Sequence, residues 1–340
     1  MLAIVLALAS AIGYGGSDFA AGLASRSAAI IQVTLLATMV SAVVVAAALP
    51  FAASHPPGTA ALAWGAVAGL GGTTGALALY FGFRHAAFSV AGPISAVGAA
   101  GFSVLAGLLL GERPTTLALI GIVLALPAIV GVSASAASAD SEPPEEDTAD
   151  ADAAGRADAD AAGRADADAA GRADATTAGR ADATGSPATG VAAGLVAGAG
   201  FALLFIGLDR AGSGSGLWPV AATQVAELAV VLAVALVTRN VRLPGTRRPS
   251  AQQSGTQLSG TGPRRLAVIA GETGASGTIL FFFASHEGFL AITAVLTSLY
   301  PAVTIVLART MLGERLTALR LAGLTLAGAC VALIAVGSVG

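Results

Sequence analysis

The sequence predicts an all-α polytopic membrane protein of ten transmembrane helices, set as two inverted five-helix repeats and joined by a disordered acidic linker. Three observations carry this. Of 340 residues 55% are hydrophobic and only 11% charged, against roughly 25% charged in an ordinary soluble domain. The charge-free stretches have lengths that suit a bilayer. The tetrapeptide Leu-Gly-Glu-Arg occurs at 110–113 and again at 312–315, each copy between two apolar runs.

No Asp, Glu, Lys or Arg occurs between Arg26 and Arg84, from His85 to Gly111, or from Pro114 to Ala139. A helix needs about 20 apolar residues to cross about 30 Å of hydrocarbon. The stretches therefore predict spans near 2–24, 28–49, 61–83, 88–110 and 115–134, with His-Pro-Pro-Gly at 55–58 breaking the longest run. Five more follow, near 189–208, 217–238, 266–285, 289–311 and 317–338. The opening apolar run has no basic residues before it, so a first span is expected rather than a cleaved signal peptide. All 17 basic residues are Arg, and the single cysteine, Cys330, excludes an intrachain disulfide or a cysteine-built metal site.

The chain divides into a first five-helix repeat at 1–138, a linker at 139–187 and a second repeat at 188–340. Ala-Asp-Ala-Asp-Ala-Ala-Gly-Arg stands at 149–156, 157–164 and 165–172, with an altered copy at 173–180. A period of eight with no apolar side chain larger than Ala has no face to bury, so the segment is expected to be disordered. A calcium array would set several oxygen ligands in one tight turn. Here two Asp per unit alternate with Ala and an Arg. Residues 140–184 hold 13 acidic residues and four Arg; the rest of the chain keeps seven acids against 13 Arg. The membrane body is basic although the whole chain carries −3.

The doubled tetrapeptide marks a wider duplication. A shift of 202 sets Leu110, Gly111, Glu112 and Arg113 on Leu312, Gly313, Glu314 and Arg315, then Thr115 on Thr317 and Gly121 on Gly323. A shift of 201 pairs Tyr80, Phe81 and His85 with Phe281, Phe282 and His286, and a shift of 192 pairs Gln32-Val33 with Gln224-Val225. Five is an odd number of crossings, so the second copy must enter the membrane upside down. Inverted repeats of this kind build transporters whose site lies near the midplane.

The stretches at 7–26, 91–115 and 296–317, with Pro301 twelve residues before Gly313, resemble the EamA family of the drug/metabolite transporter superfamily. In the first half Ala99 stands where that proline would be, and Pro93 lies six residues earlier. The resemblance implies a ten-helix carrier of small solutes working by alternating access in the cell membrane, the plasma or inner membrane. It implies both termini in the cytoplasm. The arginines argue the reverse, since 15 of the 17 would then lie outside, leaving Arg113 and Arg210 within, whereas positive loops normally stay cytoplasmic.

Gly111, Glu112 and Arg113, with Gly313, Glu314 and Arg315, are expected to make tight structural hairpins at helix ends, and Pro301 a kink. The Gly-rich run at 69–75 lacks the Lys and the strand-to-helix setting of a phosphate loop. Gly65 with Gly69, and Gly194 with Gly198, are better read as small faces for close helix packing.

Function should show where polarity enters the bilayer, because a mid-helix carboxylate costs on the order of 3 kcal/mol. Asp18, Glu227 and Glu272 are the substrate or proton pathway candidates, and Gln32 and Gln224 are uncharged candidates for the same cavity. In the repeat alignment Glu227 replaces Leu35 and Glu272 replaces Gly71, additions that suit an asymmetric solute. Each acid could instead be a packing element between helices. Tyr80, Phe281, Phe282 and Phe283 fall near span ends, where rings commonly form an interfacial belt.

His85 and His286 lie at expected loop positions without companions at ligand spacing, so no metal is expected. No Ser/His/Asp set supports a membrane-embedded lipid-handling enzyme, and a non-transporting scaffold is the third alternative. The expected partners are a small-molecule substrate, the lipid bilayer and a proton as candidate coupling ion. A homodimer is left open, and neither nucleic acid nor a cofactor is expected.

Overall fold

The computed structural model describes residues 1–25, 27–52, 57–85, 88–138, 187–237, 262–312 and 318–337. The octapeptide segment, Arg26 and the Gly313, Glu314 and Arg315 of the second hairpin lie outside these residues, as do the side chains of Tyr80, His85 and Pro93. The described chain forms α1 (Leu2–Ser25), α2 (Ile30–Ala52), α3 (Thr59–His85), α4 (Phe88–Leu109), α5 (Thr116–Ser138), α6 (Pro187–Arg210), α7 (Trp218–Val237), α8 (Pro263–Glu287), α9 (Leu290–Thr297), α10 (Tyr300–Leu312) and α11 (Ala318–Gly337). There is no strand among the described residues. Hydrocarbon offers backbone groups no partners, so a chain this apolar satisfies them within helices.

Seven helical stretches among the described residues are long and apolar enough to cross a membrane, α9 with α10 counting as one; Ile94–Leu109, Thr116–Gly131 and Leu321–Gly337 are shorter apolar helices. The protein is thus helical and multi-pass. The ninth run is broken in the middle, between α9 and α10. Pro301 has no N–H to give the Thr297 carbonyl four residues back, and its ring crowds that turn. The Leu299 N–H falls back on Leu296 O at 3.3 Å, a tighter three-residue step. With Ala99 at the corresponding place, α4 runs as one helix.

The principal packings run between the first 138 residues and those after 187: α1 on α8, α3 on α6, α5 on α11, α4 on α6, α3 on α7, and α2 on both α7 and α8. Small residues make these seams. A β-carbon at Gly65 would run into the Pro219 carbonyl and one at Gly69 into that of Thr223, so α3 and α7 touch backbone to backbone. The same holds for α4 and α6, where a β-carbon on Gly198 would stand 2.8 Å from the Gly98 Cα, and for α1 and α8, where one on Gly13 would stand 2.8 Å from the Gly277 Cα. Close approach of this kind supplies dispersion contact, the main attraction left between helices in lipid.

Hydroxyls fasten the same seams. Ser10 Oγ donates to Gly277 O at 2.8 Å, Ser17 Oγ to Ala270 O at 2.9 Å, Ser41 Oγ to Gly271 O at 2.7 Å and Thr223 Oγ1 to Gly65 O at 2.9 Å. Each such bond between membrane helices contributes about 0.6 kcal/mol. Together they hold α8 against α1 and α2, and α7 against α3.

Candidate functional site

Where α1, α3, α6, α7 and α8 meet, the sequence places polar groups among aromatic rings. Tyr14 of α1 donates its hydroxyl hydrogen bond to Thr278 Oγ1 of α8 at 3.1 Å, and Thr278 Oγ1 in turn donates to Gly274 O at 3.1 Å. The Tyr14 ring lies 6.5 Å from that of Phe205 on α6, which packs at 4.4 Å on Phe281 of α8. Asp18 follows Tyr14 by four residues and so shares its face of α1. Asp18 and Glu227 of α7 both lie within electrostatic reach of the Tyr14 phenol.

Glu227 is half-buried, and α3 makes room for it. A β-carbon at Gly72 would stand 3.0 Å from Glu227 Oε1 and 3.4 Å from Leu204 Cδ2. Gln224 lies three residues before Glu227, on the same face of α7. It is 3% exposed, and its Oε1 has no hydrogen-bond partner. The neighbourhood holds acceptors without basic counterparts among the described residues, whose arginines lie in a loop or in the terminal turns of a helix.

Of the sequence candidates, Asp18 and Glu227 both lie near Tyr14 and Gln224 stands one turn before Glu227 on α7, while two others lie apart. Glu272 lies on the exposed face of α8 with Ile269, Ser276 and Phe283, turned away from the side that packs on α1 and α2. Gln32 is half-buried in the first turn of α2. Phe281 and Phe282 are fully buried, which removes them from an interfacial belt, while Phe283 stays 38% exposed. His286 sits in the last turn of α8 rather than in a loop, its Nδ1 2.6 Å from Phe282 O. Among the described residues no three of His, Cys, Asp and Glu gather as a metal site.

Sequence reasoning passed over Tyr14 and Thr278, whose only signal was their place inside apolar runs. It also missed the reach of Glu112. Gly111 ends α4 at φ +95, with its N–H on Leu108 O at 3.1 Å and the Glu112 N–H on Gly107 O at 2.9 Å. This is the paired 5→2 and 6→1 bonding of a Schellman turn, which favours glycine at the left-handed position. The turn aims the Glu112 carboxylate across the bundle at the start of α9. Oε1 accepts the Leu290 N–H at 2.5 Å and Oε2 the Ala291 N–H at 2.9 Å. A carboxylate there satisfies two orphan donors and meets the positive end of the helix dipole. The hairpin of the first half thereby caps a helix of the second.

The comparisons with known proteins agree with this architecture. Residues 1–134 match the EamA-like transporter family. The match covers α1 to α4 and most of α5. A solved crystal structure, described only as that of a protein, superposes with a TM-score of 0.60 over 96% of this chain and 96% of that one at 17% identity, a likeness of fold. No curated protein matches.

Proposed function

We propose that this protein is a secondary transporter that moves a small solute across the cell membrane by alternating access, with ten spans in two inverted repeats of five. The observation that carries the reading is the charged, acceptor-rich site where helices of both halves cross. A half-buried carboxylate facing a seam between the halves is stationed where a rocking motion would open it to one side or the other.

The packing supports the inverted repeat. Exchange α1 to α5 for α6, α7, α8, α9 with α10, and α11 in that order. The contact of α1 with α8 then becomes that of α6 with α3, α2 on α8 becomes α7 on α3, and α1 on α9 and α10 becomes α6 on α4. The pairs α5 with α11 and α2 with α7 map onto themselves, and all of these pairs touch. Such an exchange is what a twofold axis in the membrane plane would generate.

The absence of a phosphate loop in the sequence leaves an ion gradient or exchange as the energy source, and Glu227 is the proposed proton carrier. The test is flux through purified protein in proteoliposomes across a panel of amino acids, sugars, nucleosides and amines, with and without a proton gradient. Glu227→Gln should abolish uphill uptake while preserving folding, and Glu272→Gln should leave it intact. Gradient-driven uptake unchanged in Glu227→Gln would remove that residue from coupling. No flux for any solute would overturn the transporter reading.

A further inference from the structure

The outer side of α8 carries one group that lipid does not accommodate. Arg265 and Glu287, both exposed, bracket the helix, and the rise from one to the other is about 33 Å against about 30 Å of hydrocarbon. Glu272, two turns past Arg265, therefore lies about 10 Å inside the hydrocarbon. The Ser276 hydroxyl donates to the Glu272 main-chain carbonyl and the Thr273 hydroxyl to that of Ile269, each at 2.8 Å. Hydroxyls without another partner turn back on their own helix in this way. The Glu272 carboxylate has no such recourse, and nothing among the described residues donates to it. A carboxylate that meets hydrocarbon without a donor is costly.

The other half supplies an internal contrast. A β-carbon on Gly200 would meet Gly75 N and Gly71 O, just as one on Gly13 would meet Gly277 N and Thr273 O. These matched contacts set residue n of α3 at the place of residue n + 202 of α8. On that register Leu70, rather than Gly71, is the counterpart of Glu272, while Thr74 answers to Ser276 and Phe81 to Phe283. The α3 stripe is exposed too, at Leu70, Thr74, Leu77 and Phe81, and bears no charge, as suits contact with lipid. The α8 stripe departs from it at one place inside the hydrocarbon.

We infer that this face of α8 binds a second copy of the chain, the two α8 helices lying parallel about a twofold axis along the membrane normal. Arg265, Ile269, Glu272, Ser276, Ile279 and Phe283 follow one another by alternate steps of four and three. That is the seam of a left-handed helix pair. Ile279 is half-buried and the other five are exposed. In a parallel pair, the Glu272 side chain enters a hole made by Ile269, Glu272, Thr273 and Ser276 of the second copy. Two of those four carry hydroxyls that can turn from their own helix to a carboxylate, and the symmetry forms each bond twice. The face holds acceptor and donor within one turn, so it complements itself, whereas a different protein would have to bring donors of its own. The Arg265 pair falls at the membrane surface, where water screens it. The seams with α1 and α2 lie on the opposite side of α8, so pairing leaves the interior site uncovered.

The test uses the full chain in membranes. Cys330, the buried lone thiol, is replaced by Ala, and single cysteines are introduced by Ile269→Cys, Phe283→Cys, Thr74→Cys or Leu77→Cys. Oxidation should yield a disulfide-linked dimer from the two α8 positions and none from the two on α3. In liposomes containing this chain alone, single-molecule photobleaching should show dimers at moderate density. Glu272→Leu should weaken the dimer at least about tenfold, the equivalent of about 1.4 kcal/mol; Glu272→Gln, whose amide still bonds to hydroxyls, should lose less. Equal crosslinking from α3 and α8, or a folded Glu272→Leu protein that dimerises as tightly as the wild type, would overturn the inference. So would monomers in pure liposomes beside crosslinks in native membranes, which would mean that another protein covers the face. If Glu272→Leu does not fold, the contrast between the α8 and α3 cysteines decides alone.

Discussion

Replacing Glu112 by Ala removes both acceptors at the start of α9 and is the most direct probe of how the halves hold each other. Two backbone donors, Leu290 N and Ala291 N, lose their carboxylate. A hydrogen bond to a charged group contributes about 1.5–3 kcal/mol when buried, and losing a helix cap costs about 0.5–2 kcal/mol. Glu112 is only half-buried, so water can recover part of each bond. The expected loss is about 2 kcal/mol, near the upper end of the cap range. At about 2–4 °C per kcal/mol for a body of this size, the melting temperature of detergent-purified protein should fall by about 4–8 °C. Glu112→Gln keeps one acceptor and should lose about half as much. Arg113→Ala, an exposed neighbour, should stay within about 0.5 kcal/mol of wild type. A Glu112→Ala protein that melts with Arg113→Ala would refute the cross-half cap. Gly107→Ala provides an independent route, because its β-carbon would fall on the Glu112 carboxylate; it should destabilise in the wild type and add little in the Glu112→Ala background.

Three further outcomes are expected. Gly65→Ala and Gly69→Ala each push a β-carbon into a backbone carbonyl of α7, and each should cost about 1–3 kcal/mol by overpacking; melting curves equal to wild type would mean that α3 and α7 do not approach as described. Deleting residues 145–184 should leave expression and thermal stability unchanged so long as about 12 flexible residues still join the halves, whereas a marked loss of either would show that the octapeptides take part in the fold. For orientation, phosphatase fused at Arg248 should be active if the family precedent sets the topology, while silence there with activity from a fusion at Arg210 would mean that the arginines set it.

Much of the helical frame was legible in the sequence because bilayer thickness imposes a length on every crossing. The predicted limits 2–24, 28–49 and 88–110 became Leu2–Ser25, Ile30–Ala52 and Phe88–Leu109. Pro301 could be read as a break for the same local reason, since its missing N–H acts only four residues away. The small faces of Gly65 with Gly69 and Gly194 with Gly198 were readable as contact surfaces, though not their partners. Which helix receives a glycine face depends on how nearly uniform apolar rods pack, and their own surfaces barely distinguish one side from another.

The site divides along the same line. Asp18, Gln224 and Glu227 announced themselves as polarity inside charge-free runs, but so did Glu272, and spacing along separate helices carries no information about which way each points. Packing turned Glu227 toward Gly72 of α3 and left Glu272 on the outer face of α8. Tyr14 joined the site only because α8 brings Thr278 to its hydroxyl. The partners of Glu112 are main-chain N–H groups almost 180 residues away, and a backbone donor has no signature in a sequence. The sequence by itself determined that this chain is helical and membrane-embedded and where its helices turn, because those properties follow from local hydrophobicity and hydrogen bonding. Only the tertiary structure decided which acids face the seam between the halves and which hairpin caps which helix, because those depend on helix rotation and on contacts between residues far apart in the chain.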